Sequence, residues 1–398
     1  MALILRNATY WDGDSSNPGY GDVTCDGGVI TGVHEPGRAD RAGDDDVEMD
    51  LDGSFLLPGL IDAHVHLVWS GGADPAAVVE QEGEQLTVLR AGDHARAHLD
   101  AGITTIRDLG SNWDVAISVA RAIDRGAIEG PTVIASGRTV IMTGGHDGFW
   151  GVASDGADAV VRAVRGQVLR GAGVIKTAAT GGVYGRAEGE EVDDSELTFE
   201  ELSALAREAH RRGRKVAAHA LGTEGIRNAV RAGVDTIEHG VFLTEDIVAE
   251  MARRRTVLCP TTETYYRIAE SATTGNAPAY AVHKAGRVVE GQRVSVQMAL
   301  DAGIPVIAGT DAGAPGMPHP TLVDELERLV EYGLTTHQAL RGATSLAADA
   351  LGNDRIGRIR PGARADLVMV DGDPFTSVDA LRDLWGVVRA ERVVRSRT

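Results

Sequence analysis

Two histidines separated by one residue, His64 and His66 in the run GLIDAHVHL, head a set of side chains suited to binding a metal ion. On an extended strand, side chains two apart share a face at about 7 Å spacing. Both imidazoles can therefore reach one ion at a Zn–N distance of about 2.0 to 2.1 Å. Taken alone, the pair fits equally well two partly buried histidines bonded to backbone carbonyls. Four further residues of ligand type end similar apolar runs: Lys176 in GVIKTAA, His219 in KVAAHA, His239 in DTIEHG and Asp311 in PVIAGTDAG. An inward lysine is costly to bury as an ammonium unless it is paired or loses its proton. Deprotonated, it reacts with carbon dioxide to give a carbamate whose two oxygens can bridge two ions about 3.5 to 4 Å apart, the spacing of two-metal hydrolysis. An ion pair between Lys176 and Asp311 is the competing arrangement.

Such residues need a scaffold that gathers strand ends. From Gly59 to about Leu351 a short Val/Ile/Ala/Thr run, a loop and an Ala/Arg/Glu-rich amphipathic stretch recur; the strand candidates are residues 59–67, 103–109, 131–137, 173–179, 215–220, 235–240, 256–262 and 305–313. Helical patterns such as FEELSALAREAHRRG and TLVDELERLVEYG end at glycine. This alternation predicts an α/β chain with a (β/α)8 TIM barrel over residues 58–351. A doubly wound sheet is the alternative; the number of units and the polar residues at strand C-termini favour the barrel. Residues 1–57 and 352–398 hold short β-like runs between Gly, Asp and Pro turns. They predict one small β-sandwich domain built from both ends. The acidic run at 44–46 reads as a solvated turn. His94 and His98 read as solvated residues of the outer helical layer, Glu238 as pointing toward the helices, and Arg107 with Asp108 as an ion pair at the barrel mouth.

Composition excludes several function classes. The formal net charge is -19, with no cluster of Lys and Arg beyond RRGRK at 211–215, where cations complement a helix C-terminus. Nucleic acid and anionic membrane surfaces both draw on clustered positive charge and are excluded as partners. No uncharged run approaches the roughly 20 apolar residues of a membrane span, and the opening MALILRNATYWDG lacks a secretory pattern. Cys25 and Cys259 are expected as reduced thiols, and the protein as cytoplasmic. The expected partners are a small-molecule substrate and further copies of the chain, packed through outer helices.

The motifs HVH (64–66), VIKTAATGGV (174–183), AAHA (217–220), IEHG (237–240) and GTDAG (309–313) together resemble the metal-dependent amidohydrolase superfamily. The likeness covers nearly the whole chain, since FLLPGLIDAHVHL and RIRPGARADLVMVDGDP look like the family's way into and out of the barrel. VIMTGGHDGFW, the surroundings of Lys176 and IEHG are most similar to the branch holding imidazolonepropionase-like proteins, Xaa-Pro dipeptidases of prolidase type and Xaa-Arg/Lys dipeptidases. The resemblance implies two divalent ions, zinc by preference. His64, His66 and Asp311 would hold the more buried one, His219 and His239 the more exposed one, and carboxylated Lys176 would bridge them.

A hydroxide bridging two cations is nucleophilic at neutral pH. It would attack an amide carbonyl while Asp311 acts as general base and then general acid toward the departing nitrogen. N-acyl amino acids and dipeptides are the expected substrates. A cyclic-amide hydrolase or deaminase of imidazolonepropionase type, working on one metal without need of Lys176, is the alternative, as is a lactonase or esterase on the same site. Loop residues His146, Tyr184 and His319 are the candidate substrate contacts; related dipeptidases carry a similar GGH at His146. Those dipeptidases often have Tyr after the AHA motif to hold the substrate α-carboxylate, where this chain has Leu221.

Protein purified without chelator should carry about two divalent ions per chain by inductively coupled plasma mass spectrometry. Lys176→Ala should lose at least one of them, and unchanged metal content in that variant would defeat the bridging carbamate.

Overall fold

The structure is a computed structural model that describes residues 2–39, 43, 45–185 and 189–397. Asp44 of the acidic run lies outside the described residues. Strands alternate with helices from Leu60 onward, as the periodicity predicts. Leu60–Val65, Ile103–Asp108 and Thr132–Ala135 form a parallel three-stranded sheet. Val152–Ala153, Val140–Ile141, Val174–Ala178, Lys215–Ala220, Thr236–His239 and Val257–Cys259 follow one another in a parallel six-stranded sheet. Every residue of Leu60–Val65, Ile103–Asp108, Val174–Ala178 and Thr236–His239 is buried. Both faces are covered, so burial runs along these strands without the alternation of a half-exposed sheet.

The helices bury one stripe each. Phe199–Arg211 starts on a capping box between Thr198 and Glu201 and packs Leu202, Leu205, Ala206 and Ala209 inward. Among the described residues no helix is long and apolar enough to cross a membrane.

The eighth expected strand departs from the prediction. Residues 305–313 make isolated bridges, Leu258↔Val306 and Val65↔Ala312, instead of a continuous ladder. Single hydrogen bonds complete the contact: Ile307 N donates to Leu258 O at 2.9 Å, Ala63 N to Ala308 O at 3.0 Å and Asp311 N to His64 O at 2.7 Å. The interruption has a local cause, because Asp311 sits in the left-handed region at φ 55°. Close approach here requires Gly309, whose Cβ would fall 2.5 Å from Cys259 Sγ and 2.8 Å from His64 Cβ. The two parallel sheets meet on their other side through Gly173 N and Ala135 O at 2.8 Å, so the assigned sheets are not closed into one.

The chain ends form a single eight-stranded mixed sheet, not the expected sandwich of two. Leu3–Tyr10 pairs with Val47–Asp50 along its first half and with Phe55–Pro58 along its second, with a register shift between Leu5 and Ala8. The positive φ of 53° at Asn7 bends the strand there. One bent sheet can then wrap its own core of Leu3, Leu5, Val23, Leu56, Leu367 and Met369. The two ends meet where Phe55–Pro58 runs antiparallel to Leu367–Val370.

Leu56, fully buried at this junction, should lose about 2 to 5 kcal/mol of stability as Leu56→Ala, read from urea unfolding. A change below about 1 kcal/mol would mean that the joined ends do not share a cooperative core with the rest.

Candidate metal centre

Six side chains from five segments converge at the C-terminal ends of the parallel strands. His64, His66, Lys176, His219, His239 and Asp311 line one cavity of about 30 Å³. Asp311 Oδ1 lies 3.2 Å from His66 Nε2 and 3.7 Å from His64 Nε2, and the three ligand atoms fit within 4.8 Å of one another. The imidazole rings of His64 and His239 are 5.2 Å apart, and those of His219 and His239 4.7 Å. Among the described residues, the ion-pair partners of Asp311 are these two histidines and not Lys176; the Lys176 side chain is nonetheless almost fully buried.

His64, His219 and His239 each have one nitrogen committed to the protein, which leaves the other for a ligand bond, whereas His66 Nε2 faces Asp311. His64 Nδ1 donates to Glu238 Oε2 at 2.9 Å, and its buried Nε2 has no hydrogen-bond partner. His66 Nδ1 donates to Gly110 O at 3.2 Å, and His219 Nε2 to Gly181 O at 3.2 Å. His239 Nδ1 meets the Thr261 hydroxyl at 2.7 Å. The carboxylate and carbonyl partners only accept, so the tautomers of His64, His66 and His219 follow. Burial, reinforced by neighbouring positive charge, holds His64, His219 and His239 well below the usual imidazole range. They are neutral and can donate a lone pair. Burial opposes charge on His66 too, but the hydrogen bond and charge of Asp311 outweigh it and raise its pKa. Burial likewise disfavours the Asp311 carboxylate, yet His66, His64 and Lys176 lower its pKa.

Buried polar groups hold these side chains in place. Asp62 accepts from Thr310 N at 3.0 Å, Thr310 Oγ1 at 2.7 Å and His64 N at 3.2 Å, which fixes Asp311 against the first strand. Burial pushes the Asp62 carboxyl up to about 7. Glu238, expected to face the helices, is instead fully buried against His64 and accepts from Arg107 Nη2 at 2.9 Å. His239 has φ 72°, and this left-handed residue breaks the alternation that the strand pattern assumes. Arg107 pairs with Glu238 rather than with Asp108, whose carboxylate accepts from Leu67 N and Gly110 N.

His146 and Tyr184 also line the cavity. His146 stacks on His219 at 4.0 Å, and its Nδ1 lies 2.6 Å from Glu190 Oε1. Burial disfavours its charged form, but Glu190 and Asp147 outweigh this and push the pKa up to about 9. The TGGV glycine Gly182 is required here, since a Cβ would fall 2.2 Å from His146 Cε1. Tyr184 gives its hydroxyl proton to Asp74 at 2.6 Å and is held by the start of a helix. His319 does not line the cavity. Its ring stacks on His94 at 4.2 Å, its Nδ1 accepts from His98 at 2.9 Å and its Nε2 donates to Trp69 O at 3.1 Å. His98 is therefore buried and not solvated; burial takes its pKa down to about 3.

Trp69, Asp147 and Tyr265 line the cavity as well, and sequence reasoning missed them. Asp147 directly follows His146 in the GGHD run, which was the available signal; Tyr265 lies in a helix after the seventh strand and carried none. Leu221 is buried and is not part of the cavity wall.

Glu238→Gln should weaken zinc binding about 10- to 100-fold, measured by competition with a chromogenic chelator. An unchanged affinity would remove Glu238 from any role in orienting His64.

A family model described as the amidohydrolase family matches residues 55–395. Ochratoxinase of Aspergillus niger is 30% identical over 362 residues, covering 82% of this chain and 72% of that protein. Among solved structures, a Xaa-Pro dipeptidase with bound methionine aligns at 28% identity with a TM-score of 0.90. A prolidase complexed with N-methylphosphonate-L-proline aligns at 28% identity with a TM-score of 0.91, and both alignments cover 100% of each chain. With imidazole nitrogens gathered at parallel strand ends and a family match across most of its length, the chain belongs to the amidohydrolase family.

Proposed function

We propose that this protein hydrolyses the amide bond of a small molecule, an N-acyl amino acid or dipeptide, at the six-residue centre. The carrying observation is that four histidines, a buried lysine and an aspartate face one cavity, with the histidines' remaining nitrogens tied to protein partners. The kinship with ochratoxinase and with prolidase-type structures supports the same reading. In this reading the two parallel sheets make up one (β/α)8 barrel over residues 58–351, and residues 1–57 with 352–398 a second domain. The unpaired, buried thiols of Cys25 and Cys259 are in keeping with a cytoplasmic setting.

The donor set fits divalent ions of the zinc type, which take neutral imidazole and carboxylate ligands. His64, His66 and Asp311 would hold one, His219 and His239 a second, and Lys176, converted to its carbamate by carbon dioxide with release of a proton, would serve both. When bound, such ions polarise the scissile carbonyl and make water acidic enough to attack at neutral pH. The chain's own residues carry the protons. Asp311, kept ionised by His66 and His64, accepts a proton from the attacking water and delivers it to the leaving nitrogen. His146, held by Glu190 with a charged ring, suits a hydrogen bond from Nε2 to the oxygen on which negative charge develops. Water is consumed, the C–N bond breaks, and an acid and an amine leave.

Zinc-loaded protein should release free amino acid from a panel of N-acyl amino acids and dipeptides followed by mass spectrometry. Asp311→Asn should lower kcat about a hundred- to ten-thousandfold while retaining bound zinc; a near-normal rate would remove Asp311 from the proton path.

A further inference from the structure

The cavity over the ligand side chains, about 30 Å³, has room for roughly two water molecules. A substrate amide with bulky substituents extends beyond so narrow a space. A second cavity of about 550 Å³ adjoins it, and Trp69 lines both. That volume falls in the range of about 300 to 1,000 Å³ usual for small-molecule sites. Trp69 lies 5.1 Å, ring to ring, from His66 and 4.4 Å from Trp150. Phe149 meets Trp69 edge-on at 5.6 Å and 78°. Trp113 completes the aromatic lining.

Two features of this wall call for a ligand. The indole N–H of Trp69 is buried and has no hydrogen-bond partner, a rare state for a buried donor. Trp113 is 44% exposed and, like Asp114, lies in the left-handed region, at φ 49° and 61°. Consecutive non-glycine residues in that region are strained, and such strain concentrates at functional sites. The turn is held by Asn112 Nδ2 donating to Phe149 O at 2.9 Å and by the Asp114–Arg170 ion pair at 3.2 Å. The arginines of the wall are already engaged: Arg170 by Asp114, and Arg138 by the carbonyls of Trp150 and Gly151 at 2.8 and 2.6 Å. Among the described residues the lining thus offers no free cation for an anionic ligand, its carboxylates Glu80, Glu84 and Asp114 disfavour one further, and its four aromatic rings offer several π faces and edges.

We propose that the larger cavity is the subsite for an uncharged, flat aromatic group of the substrate, with Trp69 as the partition facing the reaction chamber and Trp113 as the clamp at the rim. That this group belongs to a substrate amide rests on the hydrolytic reading above. Aromatic contacts of this geometry favour a π system over a saturated group of equal shape.

Calorimetric titration of the zinc-loaded full chain with N-methyl-2-naphthamide and with its decahydronaphthalene analogue tests the subsite. The aromatic ligand should bind about tenfold more tightly. Trp113→Ala should erase that preference, and Trp113→Phe should restore most of it. Trp113 is nearly half exposed, and an unchanged thermal midpoint would certify that the variants are folded. Equal affinities for the two ligands, or a preference that survives Trp113→Ala, would overturn the proposal. A parallel assay compares kcat/KM for N-(2-naphthoyl)glycine and its saturated analogue. Trp113-dependent aromatic binding without hydrolysis of any amide would uphold the subsite and sink the hydrolytic reading. Hydrolysis with no aromatic preference would do the reverse.

Discussion

The buried carboxylate of Glu238 is the constraint on which the rest of the centre depends. It lies on the sixth parallel strand, takes the Nδ1 proton of His64 from the first and is neutralised by Arg107 from the second. A carboxylate so deeply buried persists only with a partner and a full set of hydrogen bonds. Arg107 supplies the charge, and also donates to Ala63 O at 2.5 Å and Thr236 Oγ1 at 3.0 Å. The network therefore couples the tautomer of a candidate metal ligand to the spacing of three strands. Removing either partner would leave an uncompensated charge directly beneath the ligands.

Above that network the electrostatics are divided. The neutral histidines are neutral because burial and neighbouring positive charge disfavour a second proton. His146, only one ring stack away, has the opposite tendency because three acidic groups, Glu190, Asp147 and Glu196, act on it. Glu196 accepts the His146 backbone N–H at 2.7 Å, and burial pushes its own carboxyl up to about 7. A lone-pair donor and a charged hydrogen-bond donor thus stand side by side on one cavity wall, distinguished by their partners rather than by residue type.

That the six ligand-type residues would meet at one cavity could be read from their places at the ends of strands whose spacing repeats with the βα unit. What escaped were features set by backbone conformation. Nothing in IEHG announces that His239 adopts a left-handed conformation, yet that single angle turns Glu238 from an outward residue into the orienting partner of His64. Asp311 does the same to the eighth segment, reducing a legible strand to isolated bridges. His94 and His98 were misjudged because a helix period places them on a common face without saying what covers it; His319, more than 200 positions later, does. The terminal segments read correctly as β, but the bend at Asn7 that lets one sheet enclose its own core was invisible in composition.

The pairing of Phe55–Pro58 with Leu367–Val370 has a consequence for biosynthesis. One side of this ladder leaves the ribosome about 300 residues before the other. At about 5 to 20 residues per second, the early strand waits roughly 15 to 60 s for its partner. Throughout that interval Leu56 and Leu57, fully buried in the finished protein, border an open hydrogen-bonding edge of the kind that recruits other chains. That edge can close only once the last strands of the sheet have been made.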